Sequence, residues 1–292
     1  MNAETRFCIV ANPASGPRTM KQRRRLLDAA GEILQAGVVG LDTTSPKELA
    51  QAARQASRHC DTLVVAGGDG TFSLILNTVD LSRTALAFLP FGTGNALTHA
   101  LAYRGGPLAI AERIRKGAMH ACDLIDCDGV KKAFMVSLGI DGAAIYRYER
   151  YRALGGRGLK AHLQAGLAAF FRDYHPTAGW IAVDGSIVRV QRLLSLMVVK
   201  QPYFGMGLKA VPRARWDDGR LHSQVITSGA AGALMGLLTG FTIGNRAGCY
   251  RAGRVLTAQL ASPVKIQIDG ELGWTSDRFT FRVLPGALRM QH

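Results

Sequence analysis

Residues 63–72 read Leu-Val-Val-Ala-Gly-Gly-Asp-Gly-Thr-Phe. An apolar, β-branched run stops at a glycine pair, and Asp69 and Gly70 lead into a second apolar stretch. That order specifies a buried strand, a tight turn and a helix beginning at the turn. Glycines in such a place let backbone N–H groups approach an anion, and the helix N-terminus adds a favourable dipole. An acid inside a phosphate loop repels bare phosphate. Asp69 therefore needs a metal, a ribose hydroxyl or a catalytic task; otherwise it is a helix cap at an ordinary β–α turn.

The pattern repeats on both sides. Ala85–Leu89 reads as a strand, the turn Pro90-Phe91-Gly92-Thr93-Gly94-Asn95 follows, and Ala96–Ala102 reads as a helix. Upstream, the strand Phe7–Ala11 runs into Asn12-Pro13-Ala14-Ser15-Gly16, and a helical pattern extends from Thr19 to Gln35. Ser45-Pro46 opens a further helix over Lys47–His59, with Ser45 as N-cap, and Thr71–Val79 continues as a helix after the central turn. Strands alternating with helices predict a doubly wound, Rossmann-like parallel sheet with the three turns at its carboxyl edge, where open α/β sheets bind ligands. Neither a P-loop with its lysine nor a full GxGxxG is present, so a nucleotide site here has another design.

Beyond Ala121 the texture changes. Ala133–Ser137, Trp180–Val183, Ile187–Val190, Leu193–Val199, Arg220–Ile226, Val264–Ile268 and Arg278–Val283 read as strands, with Val183-Asp184-Gly185-Ser186 as one hairpin turn. Leu159–Arg172 and Ala230–Gly240 read as helices, and Arg147–Lys160 as a surface segment. The expectation is an α/β domain over 1–121 and an antiparallel, β-sandwich-like domain over 122–292. The last residues would pack back on the first domain, and a cleft would lie between the two.

Composition agrees with a globular chain. Its 292 residues suit two domains, and 48% hydrophobic residues are enough to fill two cores. Thirty-six Lys and Arg against 21 Asp and Glu leave a net charge of +15, which points to anionic partners: nucleic acid, a membrane surface or a phosphorylated substrate. Zinc-finger spacing and RNP-like strings are absent, so nucleic acid is not expected. Five scattered cysteines suit a reducing compartment. The uncharged window His222–Asn245 raises the question of a membrane span. Ser223-Gln224 and Thr227-Ser228-Gly229 divide it into a strand and a short buried or lid-like helix instead.

Five motifs occur in one order: NPASG (12–16), GGDGT (67–71) with Asn77 beyond it, LPFGTGN (89–95), Cys122-Asp123-Leu124, and Ile268-Asp269-Gly270-Glu271. The series resembles the diacylglycerol kinase catalytic-domain family, which includes sphingosine and ceramide kinases. The resemblance implies an ATP- and Mg2+-dependent lipid kinase. Asn12, Ser15, Gly67, Gly68, Asp69, Gly70, Thr71, Gly92, Thr93 and Asn95 would hold ATP. Asp269 would be the base on the lipid hydroxyl, Asp123 its support, and Glu271 a neighbour of the phosphates and magnesium. Asp217, Asp218 and Leu221 match a turn that binds a structural magnesium in some bacterial relatives.

Moving a phosphoryl group to an alcohol needs charge neutralisation and an in-line hydroxyl, and a carboxylate on that hydroxyl can take its proton. Asp269 and Glu271 share a face if their strand continues through Gly270. The chain departs from the family pattern at Leu74, usually Glu, at Ala96, often Asp, and at Lys200-Gln201, where relatives carry Gly-Asn.

Tyr146, Tyr148 and Tyr151 among the basic residues 147–160 suit either an anionic membrane surface or a plain surface loop. The partners expected are ATP, a lipid and an anionic membrane surface; a homodimer is compatible with this, and the location expected is cytoplasmic with peripheral membrane association. Two other readings stay open: an NAD kinase-like enzyme acting on a soluble nucleotide, and a catalytically degenerate lipid-binding protein.

Overall fold

The structure, a computed structural model, describes residues 5–153, 164, 165, 168, 175–227, 229, 235, 236 and 238–292. It divides into two compact units: Met1–Cys122 with Gly286–His292, and Asp123–Pro285.

In the first unit the elements alternate as β1 (Thr5–Ala11), α1 (Met20–Leu34), β2 (Val38–Val39), α2 (Pro46–Ala56), β3 (Cys60–Gly67), α3 (Asp69–Leu76), β4 (Ala85–Pro90), α4 (Ala96–Ala100) and α5 (Pro107–Lys116). The strands lie in the order β2-β1-β3-β4, all parallel. The direction of winding across the sheet reverses between β1 and β3, so the loops after these two strands flank the switch point of the sheet. Both faces are covered: Ile9, Val10, Leu63, Val64, Val65, Leu86 and Phe88 are fully buried, as parallel strands require. Helix entry follows local chemistry. Thr19 and Gln22 form a reciprocal capping box on α1, and Ser45 caps α2 with Pro46 at its first position.

The second unit contains, in chain order, β5 (Met119–Cys127), β6 (Lys131–Ala133), β7 (Met135–Gly139), α6 (Ile140–Ala153), β8 (Thr177–Val183), β9 (Ser186–Leu193), β10 (Ser195–Val199), β11 (Tyr203–Phe204), β12 (Leu208–Lys209), β13 (Leu221–Ile226), β14 (Cys249–Gly253), β15 (Val255–Ile268) and β16 (Glu271–Gln291). β5 begins and β16 ends in residues of the first unit. One run of antiparallel pairing goes β14-β13-β10-β7-β15. The first half of β15 pairs instead with β8, and β8 with β9. A register shift between Gln259 and Val264 lets this one strand serve both layers, and Pro263 sits inside the shift.

The two faces of β10 fill different cores. Leu196 and Val198 join Val136, Leu138, Ile181, Phe279 and Phe281, whereas Met197 and Val199 join Met135, Val211 and Ile226.

Three expectations need correction. The segment around Arg147 is helical as far as Ala153 rather than a loop. Tyr146 is exposed on that helix, with Lys265 over its ring at 5.6 Å. α5 and β14 had no counterpart in the sequence reading. β15 and β16 run far beyond the short strands expected at 264–268 and 278–283. Most of the helix expected over 159–172, His162 included, and much of that over 230–240 lie outside the described residues.

Candidate active site

Three loops meet at the carboxyl end of the parallel strands. The last residues of β3 bind both neighbours: Asn12 N–H donates to the Ala66 carbonyl at 3.0 Å, and Phe91 N–H and Gly92 N–H donate to the Gly67 carbonyl at 2.8 and 3.1 Å. The Asn12 side chain then clips the first loop to the second, its Nδ2 donating to Thr71 Oγ1 at 2.8 Å while its Oδ1 accepts from Ala14 N–H at 2.9 Å. Contacts between backbones are so close that side chains do not fit. A Cβ on Gly16 would lie 2.0 Å from the Phe91 carbonyl oxygen, and one on Gly92 would lie 2.6 Å from Gly68 Cα. A Cβ on Gly67 would strike Thr71 at 2.5 Å.

Asp69 does not project from this assembly. Its Oδ2 accepts from Ala96 N–H at 2.8 Å and its Oδ1 from Leu97 N–H at 3.1 Å, so it caps α4, the helix that follows the third loop. Burial pushes its carboxyl above the usual carboxylate value, against the pull of those two amides. Of the roles left open for Asp69, the structure shows the helix cap, on the neighbouring helix rather than its own.

Asn95 takes a left-handed backbone, with Nδ2 donating to the Gly92 carbonyl at 2.8 Å. Its Oδ1 is buried beside Gly68 and Gly92 and accepts no hydrogen bond among the described residues. Ser15 is buried at the first loop, Thr93 is exposed on the third, and Gly70 lies in the first turn of α3. All ten residues expected to hold nucleotide therefore lie on these three loops or on the strand end and first helical turn that flank the second. Glycine cradles that a Cβ would fill, together with an orphaned buried oxygen, fit the phosphates and ribose of a nucleotide.

In the second unit, Asp269 and Gly270 form the two-residue turn between β15 and β16, both at positive φ, with Ile268 opposite Glu271. The turn breaks the strand, so Asp269 and Glu271 do not share a strand face. Asp269 is buried, and its Oδ1 accepts from Phe134 N–H and Met135 N–H, each at 3.0 Å. Glu271 is half exposed and pairs with Lys131 Nζ at 3.5 Å.

Asp123 is also buried, and its Oδ2 accepts from Gly219 N–H at 2.7 Å and from Lys200 Nζ at 2.9 Å. Lys200 has no exposed surface. It was noted in the sequence only as a departure, yet a lysine closing the apolar run Leu194–Val199 signals a buried cation that needs acids. Asp218 supplies a second, at 3.0 Å, and itself meets His222, which in turn meets Tyr250 OH at 2.7 Å. Burial works to raise the Asp218 carboxyl, but the Lys200 ammonium and His222 outweigh it and hold it below its usual value. Burial lowers the His222 imidazole.

The magnesium expected at Asp217, Asp218 and Leu221 does not fit this geometry. Asp217 faces Arg215 at 3.5 Å, Asp218 Oδ1 is taken by Lys200, and Leu221 of β13 pairs with Gly253 of β14. Among the described residues no group of three His, Cys, Asp or Glu side chains could hold a metal ion.

The profile of the diacylglycerol kinase catalytic domain matches residues 6–127, and that of the YegS C-terminal NAD kinase beta sandwich-like domain matches 134–292. The chain belongs to the diacylglycerol kinase family. Curated relatives in this kinase family include a diacylglycerol kinase of Bacillus subtilis, 24% identical over 91% of this chain and 89% of that protein. Another, from Staphylococcus saprophyticus, is 23% identical over 91% of this chain and 88% of its own. A crystal structure of a diacylglycerol kinase from Bacillus anthracis superposes with a TM-score of 0.76 at 17% identity, covering 99% of this chain and 97% of the other. The kinase family points to a phosphotransferase of the lipid kinase kind, and the fold match adds the architecture. Among the described residues no helix is long and apolar enough to cross a membrane.

Proposed function

We propose that the protein transfers the γ-phosphoryl group of ATP to the hydroxyl of a lipid such as diacylglycerol or a long-chain base. The observation that carries this reading is the three-loop cradle, where Gly16, Gly67 and Gly92 leave no room for side chains and Asn95 Oδ1 waits for a donor. Asn12, Ser15, Gly67, Gly68, Gly70, Thr71, Gly92, Thr93 and Asn95 bind the nucleotide, and Asp69 acts one step back by fixing α4 against the cradle. Asp269, oriented by the two amides on Oδ1, takes the proton of the acceptor hydroxyl. That oxygen forms the new bond to the γ-phosphorus, the bond from the γ-phosphorus to the β,γ-bridging oxygen breaks, and ADP leaves. Magnesium carried with ATP would supply charge neutralisation on the phosphoryl group, and the half-exposed Glu271 is the acid that would be offered to it.

The lipid side is supported by an exposed apolar run, Met235, Leu238, Phe241 and Ile243, next to the exposed Arg246. Such a pairing suits peripheral contact with an anionic bilayer. The test incubates the full chain with labelled ATP, Mg2+ and vesicles containing diacylglycerol, sphingosine or ceramide, with NAD as a soluble acceptor. Labelling of one lipid supports the proposal. Labelling of NAD alone, or of no acceptor, contradicts it.

A further inference from the structure

Lys200 directly follows β10, at the position where relatives carry a Gly-Asn pair, and its ammonium contacts Asp218, one of the residues that the family resemblance assigns to a structural magnesium. An ammonium has three N–H donors. Here they meet three acceptors: Asp123 Oδ2 at 2.9 Å, Asp218 Oδ1 at 3.0 Å and the Arg220 carbonyl. We infer that the Lys200 ammonium is a built-in cation that takes the place of a divalent ion, so that this part of the molecule is assembled without metal.

Charge and geometry agree. Two carboxylates, one fully buried lysine and the His222–Tyr250 pair close the network, and a burial this complete is stable only when each charge is partnered. Magnesium asks for near-octahedral oxygens at about 2.0–2.1 Å. With Asp218 Oδ1 and two further oxygens already at hydrogen-bond distance from Nζ, a second cation has no place there.

The ammonium also ties together pieces distant in sequence: β5 through Asp123, the 217–220 turn through Asp218 and Arg220, and the end of β10 through its own backbone. That backbone continues the chain of contacts, since Lys200 N–H donates to the Phe134 carbonyl at 2.7 Å while Phe134 N–H and Met135 N–H hold Asp269. Lys200 is thus a positioning residue for the segment that orients Asp269. The inference stands on packing and charge, and holds whether or not Asp269 is the base.

The test reads thermal unfolding of the full chain without nucleotide or lipid. For the wild type, the midpoint in EDTA and in 10 mM MgCl2 should agree within about 1 °C; a divalent-dependent rise of about 5 °C or more would mean that a metal site persists and would overturn the inference. Lys200→Ala removes the cation and leaves one buried and one partly buried acid without it. It should unfold well below the wild type in EDTA and regain stability with Mg2+ or Ca2+, an effect that the double variant Lys200→Ala/Asp218→Asn should lose. A folded Lys200→Ala protein indifferent to both ions overturns the inference as well. If Lys200→Ala gives no folded protein under any condition, the wild-type comparison decides alone.

Discussion

The cradle of the first unit and the charged cluster of the second solve the same problem, a buried polar site, by opposite means. The cradle is built from backbone: carbonyls and amides of three loops touch because glycine lets them, and Asn12 and Asp69 merely clamp the arrangement. The cluster is built from side-chain charge, with Asp123, Lys200 and Asp218 brought together from three separate strands and turns. A backbone site tolerates no added atoms, whereas a charge site tolerates no lost partner.

The largest effect should come from adding one carbon to the cradle. Gly92→Ala puts a Cβ 2.6 Å from Gly68 Cα and 2.7 Å from Asn95 Oδ1, so ATP affinity should fall by about a hundredfold and stability by about 2–3 kcal/mol. The matching change in the second unit is Gly270→Ala. It meets nothing within 4 Å and strains only its positive φ. About 1 kcal/mol of stability should be lost there with ATP affinity unchanged. Titration calorimetry and chemical denaturation of both variants check this, and equal losses of affinity would erase the contrast.

Removing a clamp should do less. Asp69→Ala deletes the two amide contacts at the start of α4 and should cost about 2 kcal/mol, with a moderate loss of ATP affinity and a folded protein. Unchanged affinity in an ATP titration would show that α4 does not steady the cradle.

The smallest effect sharpens the second unit. Asp141, whose carboxyl accepts from Ser195 and Ser137, is pushed by burial up to about 6 from 3.8. Between those values the folded chain keeps a proton that the unfolded chain has lost. Stability from this group is therefore complete below about pH 4 and falls away as pH rises through 6. Measured against Asp141→Asn, the wild type should lose about 2 kcal/mol between pH 4 and 7; a pH-independent difference would contradict the assigned burial.

The contrast also explains what could be read in advance. Glycine loops after β1, β3 and β4 are local demands, and so is the Asp184-Gly185 hairpin, whose two residues both have positive φ. Each is written in consecutive residues. The acidic ends of the network are not: nothing near Asp123 in sequence announces Lys200, and Asp269-Gly270 looks like a solvated turn until Phe134 and Met135 cover it. Pro263 hid the length of β15 because a proline normally ends a central strand, and here it occupies a bulge. α5 was missed although Pro107 opens it and Arg113, Arg115 and Lys116 close it, a pattern favourable at both ends of a helix.

Holding ATP and activating the acceptor fall to different residues in this proposal, and Asp269→Asn measures that separation most directly. Equilibrium binding of Mg-ATP to the variant should stay within about twofold of the wild type while lipid phosphorylation falls by about a thousandfold. A variant that still phosphorylates lipid at the wild-type rate, or one that loses ATP affinity in proportion to its turnover, would contradict it.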